Sequence, residues 1–258
     1  MGTITKALDL LHHFSASRPE IGLSEFARLA GRDKATVHRH LTELAACGFV
    51  EQAPGARAYR LGPALPRLNA MRERTFPARA VIAPIVDRLA NTVGELVHAS
   101  TLKGDILLPL CHADAHVFGV RINFDETEVL PLHATASGLS LLAFGPASLS
   151  RQLAKRQIAR FTDHTETDLS KLTQLVEDTR ARGFGLSDAY FEDDVFAIAA
   201  PCFGGDGIAT GAIAIAAPYN RARRDDHAPL LLTAAADITR ALGGAVPDNV
   251  ERLWRAAA

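Results

Sequence analysis

The sequence predicts an α+β chain in two parts, a winged helix-turn-helix followed by a mostly antiparallel sheet flanked by helices. Three observations carry this expectation. Two short helical patterns separated by Gly31-Arg32-Asp33 close on Cys47-Gly48-Phe49-Val50, a helix stop running into an apolar strand start. Two strand-like runs, marked off by Pro and Gly, follow at once. Beyond residue 77, apolar stripes and alternating runs succeed one another as helix, strands, helices, strands, helix.

In the first part, Ile4, Ala7, Leu8, Leu11 and Phe14 share one helical face and would cover the motif. Ser24 stands where an N-cap belongs, Glu25 suits the positive end of the helix dipole, and Phe26, Leu29 and Ala30 form a short stripe. In the second helix Val37, Leu41 and Leu44 turn inward, which leaves Lys34, Thr36, His38, Arg39 and Thr42 outside. These residue types contact phosphates and base edges, and they sit in the N-terminal half of the helix, where a major-groove reader needs them. With Ser24 they form the expected DNA contact set; the alternative is an ordinary helical hairpin with a solvated polar face. Strands over residues 49–53 and 58–61 enclose Pro54-Gly55-Ala56-Arg57, so Arg57 tips a wing, either near a phosphate or minor groove or as an incidental loop cation. Residues 1–62 are thus the expected DNA-binding domain, and residues 63–76 a linker helix that starts either at Pro63 or, because Pro disfavours helical geometry at Leu65, at Pro66.

Residues 77–258 form the second expected domain. A helix over 79–93 buries Val81, Ile82, Ile85, Val86 and Leu89, and strands over 95–103 and 106–113 join at Gly104-Asp105. A weakly alternating strand over 117–122 and an acidic loop over 125–128 lead to Pro131-Leu132-His133. Helices are expected over 134–144, 147–156 and 169–182, strands over 184–189, 195–203 and 208–217, and a final helix over 226–242 stopped by Gly243-Gly244.

The 258 residues, 48% hydrophobic and 22% charged, describe an ordinary globular chain. Its net charge of −1 hides an asymmetry: residues 1–75 carry two Lys and nine Arg against two Asp and five Glu, a balance of +4. Positive charge therefore gathers where phosphates would be met. Three distant cysteines, Cys47, Cys111 and Cys202, fit a reducing compartment, and neither a signal segment nor a membrane span is visible, so a cytoplasmic location without a membrane partner is expected. Catalytic residues and cofactors are not expected. Thr135-Ala136-Ser137-Gly138 lacks a nucleophile elbow, no phosphate-binding loop occurs, and Gly204-Gly205-Asp206-Gly207 reads as a hairpin turn. No metal site is expected either, because Cys111, His112 and His116 lack a convincing further ligand.

Taken together, Lys6-Ala7-Leu8-Asp9-Leu10-Leu11, Gly22-Leu23-Ser24-Glu25, Lys34-Ala35-Thr36-Val37-His38-Arg39 and Tyr59-Arg60-Leu61-Gly62 resemble the IclR family of bacterial transcriptional regulators. So do Gly94-Glu95-Leu96-Val97-His98, the stretch from Leu130 through His133-Ala134-Thr135 to Gly138, Arg160-Phe161-Thr162, Arg182-Gly183-Phe184 and Ile198-Ala199-Ala200-Pro201. The pieces are individually weak, but their order and spacing are specific. The resemblance implies a GAF-like effector domain behind the winged helix-turn-helix, a homodimer or homotetramer on a double-stranded DNA operator, and a small-molecule effector, often an organic or aromatic acid. It also implies a cleft at the start of the helix after His133, where the N–H groups of Ala136 and Ser137, beside Thr135, would hold a carboxylate. Where family members carry an Asp, a Cys and two Ser as anchors, this chain has Ser187, with Asp188 adjacent, then Ala197, Ala214 and Ala216. That wall is expected to be apolar and to favour an aromatic or larger acid held by burial. Phe118, Phe124, Leu132 and Phe196 are candidate lining residues that also read as plain core. For His133 a structural, hydrogen-bonded role is set ahead of ligand contact. In the DNA-reading helix Asp33 replaces the usual Pro and Ala35 the usual Ser, so one phosphate contact is expected to be missing while Asp33 still caps. Two alternatives stay open: a regulator that has lost its effector, and a metabolite-binding module without DNA function.

Overall fold

The computed structural model describes residues 2–15, 18–52, 55, 57–75, 78–115, 122, 124–219 and 224–257. They form two compact units, Met1–Pro77 and Ala78–Ala258.

In the first unit α1 (Thr3–Leu8) passes through a 3-10 turn (Asp9–His13) to β1 (Ile21–Gly22), α2 (Leu23–Ala30) and α3 (Lys34–Ala46). β2 (Val50–Gln52), β3 (Ala58–Leu61) and α4 (Ala64–Thr75) follow. Of the expected inward residues Phe26, Val37 and Leu41 are fully buried, together with Leu10 and Ile21, whereas Ile4 and Leu8 of the first helix are exposed. Phe26 meets Phe14 and Tyr59 edge-on at 5.4 and 6.3 Å. Gly31, left-handed at φ 60°, ends α2 and lets the chain reverse at once. Arg32 then ties the turn to the first helical segment, donating to the Lys6 carbonyl at 2.6 Å and pairing with Asp9 at 3.1 Å. Asp33 caps α3 as expected, accepting from the Thr36 N–H at 2.9 Å.

Two expectations fail here. Ser24 is not the cap of α2; Gly22 holds that position in extended geometry, and no side chain caps the helix. The reason is β1, too short to be read in the sequence, whose pairing of Ile21 with Tyr59 draws Gly22 into the sheet and starts the helix at Leu23. The linker helix does not wait for Pro66 but begins at Ala64. Pro66 is its third residue, and first-turn positions have no intrahelical N–H bond to lose. The wing is a β2–β3 hairpin with Glu51 opposite Arg60, bridged at 2.7 Å. Ala53 at the end of its first expected strand, Pro54 and Ala56 of its expected turn, and Phe76 at the end of the expected linker lie outside the described residues.

The second unit is built on a five-stranded sheet, order β5-β4-β8-β7-β6, with every neighbouring pair antiparallel. Its strands are β4 (Leu96–Lys103), β5 (Ile106–Asp114), β6 (Gly185–Asp188), β7 (Val195–Phe203) and β8 (Ala209–Pro218). Helices α5 (Ala78–Val93) and α9 (Arg224–Ala241) cover one face. On the other lies α6 (Ala136–Phe144), backed by α8 (Leu169–Arg182) and followed by the short α7 (Ser148–Leu153). Strand alternation sends Ile213 and Ile215 into the main core, whereas Ala214 packs with Ala199 and Ala136 under α6. The small residues are what let a helix settle so close to the sheet.

Of the expected strand over 117–122, only Ile122 is among the described residues, and it is not in a strand. The expected final helix is not the last, because α10 (Asp248–Ala257) follows it. Its Trp254 indole N–H donates to the Gly183 carbonyl at 2.8 Å, and its ring lies 6.2 Å from Phe203. Trp254→Phe keeps the ring but leaves that carbonyl without its donor, a loss of about 2 kcal/mol. Calorimetry should find the unfolding temperature roughly 4–8 °C lower, and an unchanged value would mean the bond carries nothing.

Candidate functional site

Two sets of groups look outward from this scaffold, one in each unit. In the first, Lys34, His38, Arg39 and Thr42 are exposed along α3, with Thr36 half-buried beside them. Lys34, Arg39 and Arg57 enter no ion pair among the described residues, unlike Arg32 and Arg60, which are matched by Asp9 and Glu51. The Thr42 hydroxyl donates to the His38 carbonyl at 2.9 Å, so toward a ligand it can only accept. Arg57 is exposed at the wing, and Ser24 lies in the first turn of α2, also exposed. The uncompensated cations therefore lie where the sequence placed them, on the N-terminal half of α3 and on the wing.

In the second unit a cavity of ≈60 Å³ opens between the sheet and the start of α6. Its floor follows from strand register. Ser187 lies opposite Ala197, Ala197 opposite Ala216, and Ala216 opposite Leu96, so one row crosses four strands. Two residues away a parallel row runs Gly185, Ala199, Ala214, His98. The first turn of α6 rests on the Gly185 end of that row, where an added Cβ would stand 2.3 Å from the Ala136 carbonyl. Ser140 fixes the contact, donating to the Ala199 carbonyl at 2.7 Å and accepting from the Gly185 N–H at 3.0 Å. His98 is left at the other end of the row.

Thr135 is spent on structure: its hydroxyl accepts from the Gly138 N–H at 3.0 Å and donates to the Pro131 carbonyl at 2.9 Å. The Ala136 and Ser137 N–H groups have no backbone acceptor among the described residues, as expected of a first turn. Two of the lining side chains, Ser137 and His98, each hold a buried polar atom, Ser137 Oγ and His98 Nδ1, without a hydrogen-bond partner among the described residues. Buried polar atoms are paired in the great majority of cases, so two orphans among the side chains that line one cavity single it out. Burial, helped by His112, pulls the His98 imidazole down to about 4, so it is neutral near pH 7.

Of the expected ligand residues, Thr135, Ala136, Ser137, Ser187, Ala197, Ala214 and Ala216 line this cavity together. Two do not. Asp188 follows Ser187 on an extended strand and so faces the opposite way, exposed. His133 is held by the Ala159 carbonyl at 2.8 Å, the structural role set first for it. Among the candidate lining residues Phe124 lines the cavity, Leu132 and Phe196 pack against the core, and Phe118 is outside the described residues. His116 of the expected histidine group is also outside them, and the His112 Nδ1 lies 2.7 Å from Glu126. Sequence reasoning did not assign His98, Phe191 or Glu192 to the cavity, which all three line.

Phe191 and Glu192 come from the β6–β7 loop, residues 189–194, whose ends Ala189 and Asp194 are left-handed at φ 55° and 61°. Non-glycine residues there cost of order 1 kcal/mol or more each and persist only where surroundings enforce them. The enforcing segment contains Phe161 and Thr162: Thr162 Oγ1 donates to the Ala189 carbonyl at 2.6 Å, and Thr165 Oγ1 to the Tyr190 carbonyl at 2.7 Å. Phe161 packs on Phe191 at 5.0 Å and on His133 at 5.7 Å. Across the cleft Phe124 stacks on His98 at 4.5 Å, and two residues on Glu126 is clamped by Arg79 at 3.1 Å.

A winged helix-turn-helix with a bare cationic face, joined in one chain to a unit with a ligand cleft, defines a DNA-binding regulator with a small-molecule domain. The chain belongs to the IclR family of bacterial transcriptional regulators: residues 3–54 match the IclR helix-turn-helix domain and residues 74–241 the IclR C-terminal domain of these regulators. The HTH-type transcriptional regulator BhcR of Paracoccus denitrificans is 34% identical over 221 residues, 84% of this chain and 78% of that protein. The crystal structure of an IclR transcriptional regulator from Silicibacter sp. TM1040 superimposes with a TM-score of 0.87 at 39% identity, covering 96% of this chain and 98% of that one. An IclR homologue from Microbacterium hydrocarbonoxydans, solved in complex with 4-hydroxybenzoate, does so with a TM-score of 0.76 at 25% identity, covering 94% and 99%. No helix among the described residues is long and apolar enough to cross a membrane.

Proposed function

We propose that this regulator binds its operator through Lys34, Thr36, His38, Arg39, Thr42 and Arg57, and senses a small organic acid at the start of α6, acting as a cytoplasmic homo-oligomer without catalytic activity. The observation that carries the effector reading is a cavity at the start of α6 whose lining includes helix N–H groups without a backbone acceptor and two side chains, Ser137 and His98, with an unpartnered buried polar atom. Those N–H groups and the Ser137 hydroxyl receive the carboxylate, and Ala197, Ala214 and Ala216 form its apolar floor. The complex of the Microbacterium homologue with 4-hydroxybenzoate supports an acid as the ligand class. The alanine floor is the feature that favoured a regulator without an effector, but a site without a ligand has no reason to keep two polar atoms buried and unpaired. Occupancy closes the cleft and, through α4, changes how the paired DNA-reading heads are spaced.

Size bears on the choice of acid. About 150 Å³ holds a benzene ring in an engineered apolar cavity. At ≈60 Å³ the cleft takes an acid of a few carbons as it stands, and an aromatic acid only when Phe124 or Phe191 moves aside. Thermal-shift screening of short aliphatic and aromatic acids on the full chain, followed by titration calorimetry, should give at least one binder whose affinity falls tenfold or more in Ser137→Ala. A screen with no shift for any acid would defeat the effector reading.

A further inference from the structure

We propose that Glu126 couples the effector cleft to the first turn of α5, as a positioning residue that carries movement of the cleft wall toward the linker. This deepens the acid-sensing reading above and rests on it. The cleft end of the relay is Phe124, which lines the cavity. His98 on β4 and His112 on β5 stand directly opposite each other, so their rings share one face of the sheet. Phe124 lies on both, 4.5 Å from the His98 ring and 5.2 Å from that of His112. The turn behind Phe124 is closed on itself. The Asp125 carboxylate accepts from the Thr127 N–H at 2.8 Å and from the Thr127 hydroxyl at 2.6 Å, and the Asp125 carbonyl accepts from the Glu128 N–H at 3.1 Å. Phe124 and Glu126 therefore move together.

Glu126 reaches from that turn to two elements. Its Oε1 lies 2.7 Å from His112 Nδ1, on the strand whose imidazole touches Phe124, and its Oε2 accepts from Arg79 at 3.1 and 3.2 Å. Burial works against charge on this carboxyl, but the bonds from Arg79 and His112 outweigh it and hold the group below its ordinary value, so it is ionised near pH 7. Arg79 also donates to the Leu110 carbonyl of β5 at 2.8 Å. It stands in the first turn of α5, four residues past Thr75, where α4 ends. A shift of Phe124 thus pulls at the point where the chain enters the second unit. Phe191, the other ring on the cavity, is pinned instead through its own loop by the Thr162 and Thr165 hydroxyls. The Arg79–Glu126 pair is partly exposed and adds little to stability, so breaking it reports on coupling and not on folding.

The test measures the affinity of the full chain for a DNA fragment from the gene's own upstream region, with and without saturating acetate, propionate, butyrate, benzoate or 4-hydroxybenzoate. An acid that binds should change the wild-type DNA affinity about fivefold or more. In Glu126→Gln the same acid should bind within about threefold of the wild type by titration calorimetry, while DNA affinity responds by less than about twofold. Arg79→Gln should behave alike, and the double variant should lose no more than either single one, because all three break one link. Hydrogen exchange in the first turn of α5 should rise severalfold in both single variants, with the unfolding temperature within about 2 °C of the wild type. A full DNA response in Glu126→Gln, with acid affinity kept, would overturn the coupling and leave the acid site standing. So would an acid that bound the wild type without changing its DNA affinity. Loss of acid binding in Glu126→Gln would overturn it as well, since the residue would then shape the site itself. Silence of all five acids would remove the acid-binding reading and this one with it.

Discussion

Replacing His38 and Arg39 together with alanine should weaken retention of a DNA fragment from the gene's own upstream region by about 10²-fold in a mobility-shift titration. Both side chains are exposed on the N-terminal half of α3, one residue apart, where a recognition helix meets base edges. A good bidentate base contact is worth about 1–3 kcal/mol, and each 1.4 kcal/mol is tenfold in affinity. Neither substitution touches the fold, because the inward side of α3 is Val37, His40, Leu41 and Leu44. Far-ultraviolet circular dichroism and unfolding temperature should therefore be those of the wild type. Lys34→Ala is the informative contrast. As a phosphate contact it should weaken all DNA sequences alike and flatten the dependence of log affinity on log salt by about one unit, while sequence preference is kept. Retained binding by the double variant would sink the assignment of α3 as the reader.

How much of this was legible depended on the range over which each signal acts. The bounds of β3, α8 and β7, and the Asp33 cap, are set by neighbours within a few residues, and they stand as the sequence implied. Ser24 was misread because a two-residue strand, paired across 38 positions to Tyr59, decides where α2 begins. The last helix, α10, was missed because Gly243-Gly244 and Pro247 read as an ending, and the apolar stripe beyond them is little more than Val250 and Trp254 among charges. In the cleft the family resemblance located the floor, and strand alternation put Ala197, Ala214 and Ala216 on one side. His98 looked like any alternating strand residue. What distinguishes it is the lack of a partner for Nδ1, a property of the assembled sheet that no local pattern encodes. Asp188 is turned out of the cleft by one residue of register, and His133 takes the structural role set first for it, on a carbonyl 26 positions away.

The largest effect on stability is expected from Gly138→Ala, a change that a helix would ordinarily welcome. Alanine exceeds glycine in helix propensity by nearly 1 kcal/mol, and Gly138 lies inside α6. Yet a Cβ at this position would stand 2.4 Å from both the Cα and the carbonyl oxygen of Leu132. These are backbone atoms, so no rotamer change relieves the contact, and either α6 or the segment from Pro131 to Thr135 must shift. That segment cannot move cheaply: Thr135 is bonded to both the Pro131 carbonyl and the Gly138 N–H, and His133 is anchored on Ala159. Overpacking of this kind costs about 3 kcal/mol, the upper end of what extra methyl groups cost in well-packed cores. Calorimetry should place unfolding of the C-terminal unit roughly 6–12 °C lower. The same shift would carry the Ser137 hydroxyl and the free N–H groups away from the floor, so the variant should lose its response to any acid that the wild type binds. Gly185→Ala is the matching test from the sheet side, because its Cβ would meet the Ala136 carbonyl at 2.3 Å. If either variant kept both its unfolding temperature and its ligand affinity, the close seating of α6 on the sheet would not be what shapes the site.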